Sequence, residues 1–175
     1  MKFQFYHEKL IDAEEYQNFR RENPGAFPCS GFFVLDREKE GANNQVHFDF
    51  WLPQYEKMYS FKMNGPIEFV NVENFDKRPF EELSMNYDFD LEDVEKIILE
   101  RMAEDKVKGK IQKLLFSLQK LKGVDYLVIT VFLNNMALLK INYDIADKKI
   151  IEFEKKSFFD ILHVKKGKKE ETESL

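Results

Sequence analysis

The sequence predicts an α+β fold in which two antiparallel β-meanders flank a long central helical stretch, broken or kinked, with a short N-terminal helix. Three observations carry this expectation. Residues Asp90–Lys122 hold the longest run of helical periodicity. Alternating apolar stretches, separated by turn signals, lie before that run at residues 31–75 and after it at residues 124–164. Strands grouped on either side of a helical block, without strict βαβ alternation, argue against a doubly wound parallel sheet. A chain of 175 residues is expected to form one domain, here residues 1–164, and to bury about 70% of its surface on folding. Residues 165–175 (KKGKKEETESL) read as a charged, disordered tail.

The N-terminus alternates over Lys2–Glu8, with Phe3 and Phe5 on one face, and reads as a short strand. A helix is expected from Asp12 to about Asn23. Asp12 would cap it, with Glu15 three residues on and Ile11 and Tyr16 in the positions of a hydrophobic staple. Asn23-Pro24-Gly25 stops it, and Tyr16 and Phe19 face the core. Gly31–Arg37 and Gln45–Leu52 read as a hairpin. In its second strand Val46, Phe48, Phe50 and Leu52 point one way, and Gln45, His47, Asp49 and Trp51 the other. Pro53 ends that strand. Tyr55–Met63 alternates again, Asn64-Gly65 is a turn signal, and Ile67–Phe75 is a fourth strand. Asp76–Asp88 is a polar connector interrupted by Pro79.

Asp90 begins the helical stretch as a capping carboxylate, followed by Glu92, Asp93 and Glu95 at the positive end of the helix. Val94, Ile98 and Met102 point about 180° away from Ile111, Leu114 and Leu118 at a helical period, so the apolar face turns over near Asp105–Gly109. One unbroken helix would run about 48 Å, longer than a domain of this size is wide. Gly109 is therefore the expected break. Val124–Leu133 is a continuous apolar strand expected at the centre of a sheet. A two-residue Asn134-Asn135 turn would return it as Met136–Tyr143 and pair Phe132 with Ala137, Thr130 with Leu139, Val128 with Ile141 and Tyr126 with Tyr143. Lys149–Glu154 and Ser157–Val164 complete the second meander.

Charge is unevenly distributed. Residues 1–100 carry −10, residues 101–169 carry +8 and the last six residues −3. Two solvated regions that attract each other explain this. A basic surface in the Lys-rich C-terminal half, for nucleic acid or an acidic protein, is the alternative. That half has Arg101 as its one arginine, and phosphate and base recognition usually recruits more. Weak, non-specific, salt-sensitive nucleic-acid binding is the most it predicts. A single cysteine, Cys29, rules out an internal disulfide and a Cys-rich zinc site. The N-terminus lacks the apolar run of a signal peptide and no stretch is long and apolar enough to span a membrane, so a cytoplasmic protein is expected.

The 18 phenylalanines imply a Phe-rich core, with an apolar cavity or partner groove as the functional alternative. The sequence has no Gly-rich phosphate loop, nucleophile elbow or His-Glu-x-x-His. Cys29 reads as a small buried residue and not a reactive thiol. The best metal candidate is His47 with Asp49 on one strand face. A hairpin turn centred on Ala42-Asn43 would set Asp36 opposite Asp49 and Glu38 opposite His47. A metal-dependent enzyme using His47 and Asp49 is thus one reading, set behind an ordinary solvated face. The preferred reading is a non-enzymatic binding or assembly protein without a cofactor. Its interaction surface would be Trp51, Tyr55 and Tyr59, which offer apolar area with a polar tip to a protein partner, a small apolar ligand or a second copy.

Overall fold

A computed structural model describes residues 1–39, 41–72 and 79–157. Three short α-helices and eight strands follow one another: α1 (Phe3–Ile11), α2 (Glu14–Glu22), β1 (Phe27–Asp36), β2 (Gln45–Leu52), β3 (Lys57–Lys62), β4 (Glu68–Val72), α3 (Leu91–Glu104), β5 (Ile111–Leu121), β6 (Val124–Leu133), β7 (Ala137–Asp144) and β8 (Lys149–Ser157). All eight strands belong to one antiparallel sheet in the order β4-β3-β2-β1-β5-β6-β7-β8. This overturns the expected pair of meanders around a long central helix. The two runs of strands are joined edge to edge by the pairing of β1 with β5.

The helical stretch divides where expected but not into two helices. Asp90 caps α3, its Oδ1 accepting from the Glu92 amide at 3.1 Å. Lys106 and Gly109 then take positive φ, 54° and 121°, and the chain re-emerges extended as β5. Residues 111–121 suit either periodicity when read locally, and pairing on both sides decides for the strand. Leu114, Phe116 and Leu118 then share one face. A helix would have turned Phe116 well away from the other two.

The N-terminus is corrected in the opposite direction. Phe3, Tyr6, His7 and Leu10 have helical spacing, and α1 buries Phe3 and Leu10 while leaving Phe5 exposed. Asp12 closes α1 instead of capping α2, which starts after Ala13 without a side-chain cap. Ile11 is exposed, so no staple forms. Phe19 is buried and Tyr16 packs against the core, as expected. The strand expected at Ile67–Phe75 is described over Glu68–Val72, with residues 73–75 outside the described range. The expected strand Ser157–Val164, beyond Ser157, and the tail 165–175 also lie outside it.

The β6–β7 register differs from the expected one. Asn134, Asn135 and Met136 form the loop, with Met136 at φ 60°. Phe132 therefore pairs with Leu138, Val131 with Leu139, Ile129 with Ile141 and Leu127 with Tyr143. A shift of one residue exchanges the faces of the partner strand. Leu127, Ile129 and Val131, not Val128 and Thr130, thus join Leu139 and Ile141 in the core.

All three helices cover the same face of the sheet. Phe3 of α1 meets Phe33 and Phe48 edge-on, and Phe19 of α2 meets Phe50 and Phe61. Leu91, Val94, Ile98 and Met102 of α3 join the same cluster as Leu114, Phe116 and Leu118. The connector closes one end of this layer through Leu83, Met85, Tyr87 and Phe89. Among the described residues, no helix is long and apolar enough to cross a membrane.

Candidate functional site

The face of the sheet away from the helices carries the chemistry that the core does not use. Along β1 the residues alternate. Phe33 and Leu35 enter the helix-side core, while Phe32 and Val34 point to the other face. Leu115 lies opposite Val34, Phe132 opposite Lys113, and Leu138 opposite Phe132. The result is an apolar strip over β1, β5, β6 and β7. Val34 is 5% and Leu138 7% exposed, although neither belongs to the helix-side cluster. Phe32, Leu115 and Phe132 are half-buried.

A concavity of about 620 Å³ opens over this strip. Phe32, Val34, Leu115 and Phe132 line it together with the polar and charged Glu38, Asn43, Gln45, Gln112 and Lys113. Gln112 Nε2 donates to Glu38 Oε1 at 2.6 Å across the β1–β5 join. Towards β8 the same face becomes charged. Lys140 stands opposite both Thr130 and Glu154, and Lys156 pairs with Glu154 at 3.1 Å.

Beside the strip on β1 and β2 lies a small polar group. His47 stacks on Phe32 with centroids 5.0 Å apart. Its Nε2 is 3.7 Å from Asp49 Oδ2, which accepts a hydrogen bond from Ser30 Oγ. Burial holds the His47 pKa below the ordinary imidazole value; Asp49 opposes the shift and Lys62 adds to it. The carboxylate sits between the hydroxyl and the imidazole, so His47 is not placed to take a proton from Ser30. Cys29 donates its thiol to the Asp49 carbonyl at 3.4 Å, and burial pushes its pKa up, as befits a packed, unreactive residue.

The proposed carboxylate quartet does not assemble. His47 lies opposite Phe32 and Asp49 opposite Ser30, because the β1–β2 connection spans residues 37–44 and shifts the register from the expected one. Asp36 closes that loop, its Oδ1 accepting from the Glu38 and Lys39 amides and its Oδ2 from Asn43 Nδ2. The Asn43 bond is the largest cause of its lowered pKa. Among the described residues, no group of three or more His, Cys, Asp or Glu converges as a metal site.

The three aromatic candidates do not share one surface. Trp51 lies on the open face, half-buried against Phe80 with centroids 5.1 Å apart. Tyr59 lies on the helix side, stacked on Phe69 and edge-on to Phe19. Tyr55 is exposed in the 3-10 turn Pro53–Tyr55 that separates β2 from β3. Sequence reasoning missed Phe32, Val34, Leu115, Phe132 and Leu138. The signal for Phe32 and Val34 was a second apolar set on β1 out of phase with Phe33 and Leu35, which marks a strand apolar on both faces.

No protein-family model matches the sequence, and neither does any curated protein. Among solved structures, the fold is similar to that of a protein from Clostridium difficile 630 provisionally described as a lipoprotein. The TM-score is 0.52 at 15% identity, over 82% of this chain and 91% of that one. The likeness is one of fold.

Proposed function

We propose that this chain is a non-enzymatic binding protein whose open sheet face receives an apolar segment of a polypeptide. The observation that carries this reading is the second set of apolar side chains, Phe32, Val34, Leu115, Phe132 and Leu138, separate from the helix-side core. Their four strands place the strip across about 14 Å at ordinary strand spacing. That width suits one extended segment or one helix, and is narrow for a second full sheet layer. Gln45 in its lining offers an amide donor and acceptor of the kind a peptide backbone requires, while the Gln112 amide nitrogen is engaged by Glu38. Trp51 packs on Phe80 on the same face, separated from Phe32 by the Ser30–Asp49 pair. Tyr59 takes no part in it.

Titration with an apolar fluorescent dye tests the reading. Phe132→Glu places a charge on the strip and should abolish dye binding with little change in melting temperature. Leu99→Glu, at an exposed position on α3, should leave dye binding intact. Undiminished binding by the Phe132→Glu protein would refute the assignment of this face.

A further inference from the structure

We propose that the open face carries a second, polar subsite beside the apolar strip, and that it takes the carboxamide side chain of an asparagine or glutamine in the bound segment. The inference rests on the binding reading above and names a feature that the segment must carry. A cavity of about 180 Å³ is lined by Ser30, Ser117 and Gln119 from the sheet and by Pro79 and Phe80 from the connector. Ser117 stands directly opposite Phe32, which lines the larger concavity, so the two spaces adjoin on the same pair of strands. The volume is below the about 300–1,000 Å³ of ordinary small-molecule pockets and suits a single side chain.

Hydrogen bonding selects the kind of side chain. Gln119 Nε2 donates to Ser117 Oγ at 2.7 Å, which leaves the serine hydroxyl proton and the glutamine Oε1 without a partner among the described residues. Ser30 Oγ gives its proton to Asp49 Oδ2 and keeps its lone pairs. Donor and acceptors thus stand side by side. A carboxamide brings the complement, a carbonyl for the Ser117 hydroxyl and two N–H groups for Gln119 Oε1 and Ser30 Oγ. The two charged side chains in the lining are engaged elsewhere. Glu81 accepts from the Lys122 and Gly123 amides at 2.6 and 2.8 Å, and Lys120 donates to the Glu82 carbonyl at 3.0 Å. Neither is free to balance a charge brought into the cavity, which favours a neutral occupant. The spacing also fits. Side chains on one face of an extended segment recur every 6.6–6.8 Å or so, about the same as successive rows along a strand. A segment lying along β1 and β5 with an apolar side chain over Val34 and Leu115 therefore sets the next over Phe32 and the one after it over Ser30 and Gln119. The pattern it must carry is apolar, any, apolar, any, carboxamide.

Fluorescence anisotropy of labelled synthetic peptides with the full-length chain tests this. Each peptide carries a valine and a phenylalanine two residues apart and a variable residue two positions beyond the phenylalanine, with serines between them. A second series reverses the order, to cover both chain directions. Glutamine or asparagine at the variable position should bind about fivefold tighter than leucine or glutamate, as one net hydrogen bond implies. Ser117→Ala with Gln119→Leu should erase that preference and leave the leucine peptide bound as before. Equal affinities in the unaltered protein overturn the subsite while the binding reading stands, and that comparison requires neither substitution. A preference that survives the double substitution also overturns it. So does a preference for lysine, which would assign the cavity to the Asp49 carboxylate. Binding of the apolar dye without binding of any peptide overturns it too. Binding of neither dye nor peptide rejects the binding reading, and the subsite with it.

Discussion

Leu114 and Leu115 are neighbours of one residue type on β5, and they face opposite sides of the sheet. Leu114 is 0% exposed, lies between Leu35 and Val131 across the sheet, and belongs to the core beneath the helices. Leu115 looks into the open concavity. Truncating Leu114 to Ala should remove its transfer free energy and leave an enclosed hole, for a loss of about 3 kcal/mol within the usual 2–5 kcal/mol range. Truncating Leu115 enlarges a space that is already open, so the transfer contribution alone is lost, about 1–1.5 kcal/mol. Urea denaturation of both variants provides the comparison. With a slope of about 2 kcal/mol/M, the midpoint should fall by about 1.5 M for Leu114→Ala and by about 0.5–0.8 M for Leu115→Ala. The slope should stay constant. Equal losses, or a larger loss at Leu115, would refute the division of the sheet into one packed and one open face.

Two further outcomes test the local arguments. Asp90→Ala removes the carboxylate that accepts from the Glu92 amide and should cost about 1 kcal/mol in a thermal or chemical melt, with Asp90→Asn retaining most of the stability. The His47 pKa is lowered in the folded protein, so the unfolded chain binds the proton more tightly. Stability should be constant above the unfolded imidazole pKa of about 6.5 and decline as pH falls below it. His47→Gln should flatten part of that decline in melts between pH 7.5 and 5.5. His7, whose pKa is also lowered by burial, should account for a remaining part in the same direction.

Legibility in the sequence followed the strength of local constraint. Gln45–Leu52 and Val124–Leu133 were read with their observed limits, since each is a run of strand-forming residues bounded by turn residues. The end of α3 was also legible, because Lys106 and Gly109 interrupt the pattern in a way the backbone then shows as positive φ. The central helical stretch was misread because its structure depends on a partner distant in sequence. Residues 111–121 contain apolar side chains at 111, 114, 115, 116, 118 and 121, which satisfy a helical stripe and a strand apolar on both faces alike. Contact with β1, tens of residues earlier, selects the strand, and no local feature announces that contact. The N-terminal segment failed for lack of length. Phe3 and Phe5 suggest alternation over a few residues, while the helical set Phe3, Tyr6, His7 and Leu10 requires one more turn to be visible.

The three aromatic candidates are separated for a related reason. Alternation along the two strands would bring Trp51 near Tyr55 and Tyr59 across the turn after Leu52, yet the 3-10 turn at Pro53 resets the phase between them. Phe50 pairs with Tyr59 while Trp51 pairs with Met58, which puts the tryptophan and that tyrosine on opposite sides. The strip that the structure assembles comes from β1, β5, β6 and β7, and pairing alone brings them together. The same pairing limits the basic half as a binding surface. Lys113 reaches Asp36 across the β1–β5 join at 3.9 Å, Lys120 reaches Asp125 at 3.8 Å, and Lys149 and Lys156 hold Asp147 and Glu154. Exposed pairs such as Lys149–Asp147 contribute little to stability. The four pairs nonetheless place a carboxylate beside each of these ammonium groups, and a phosphate backbone would have to displace it. On these strands the four lysines thus stand beside carboxylates, which sets the proposed partner surface on the apolar strip instead.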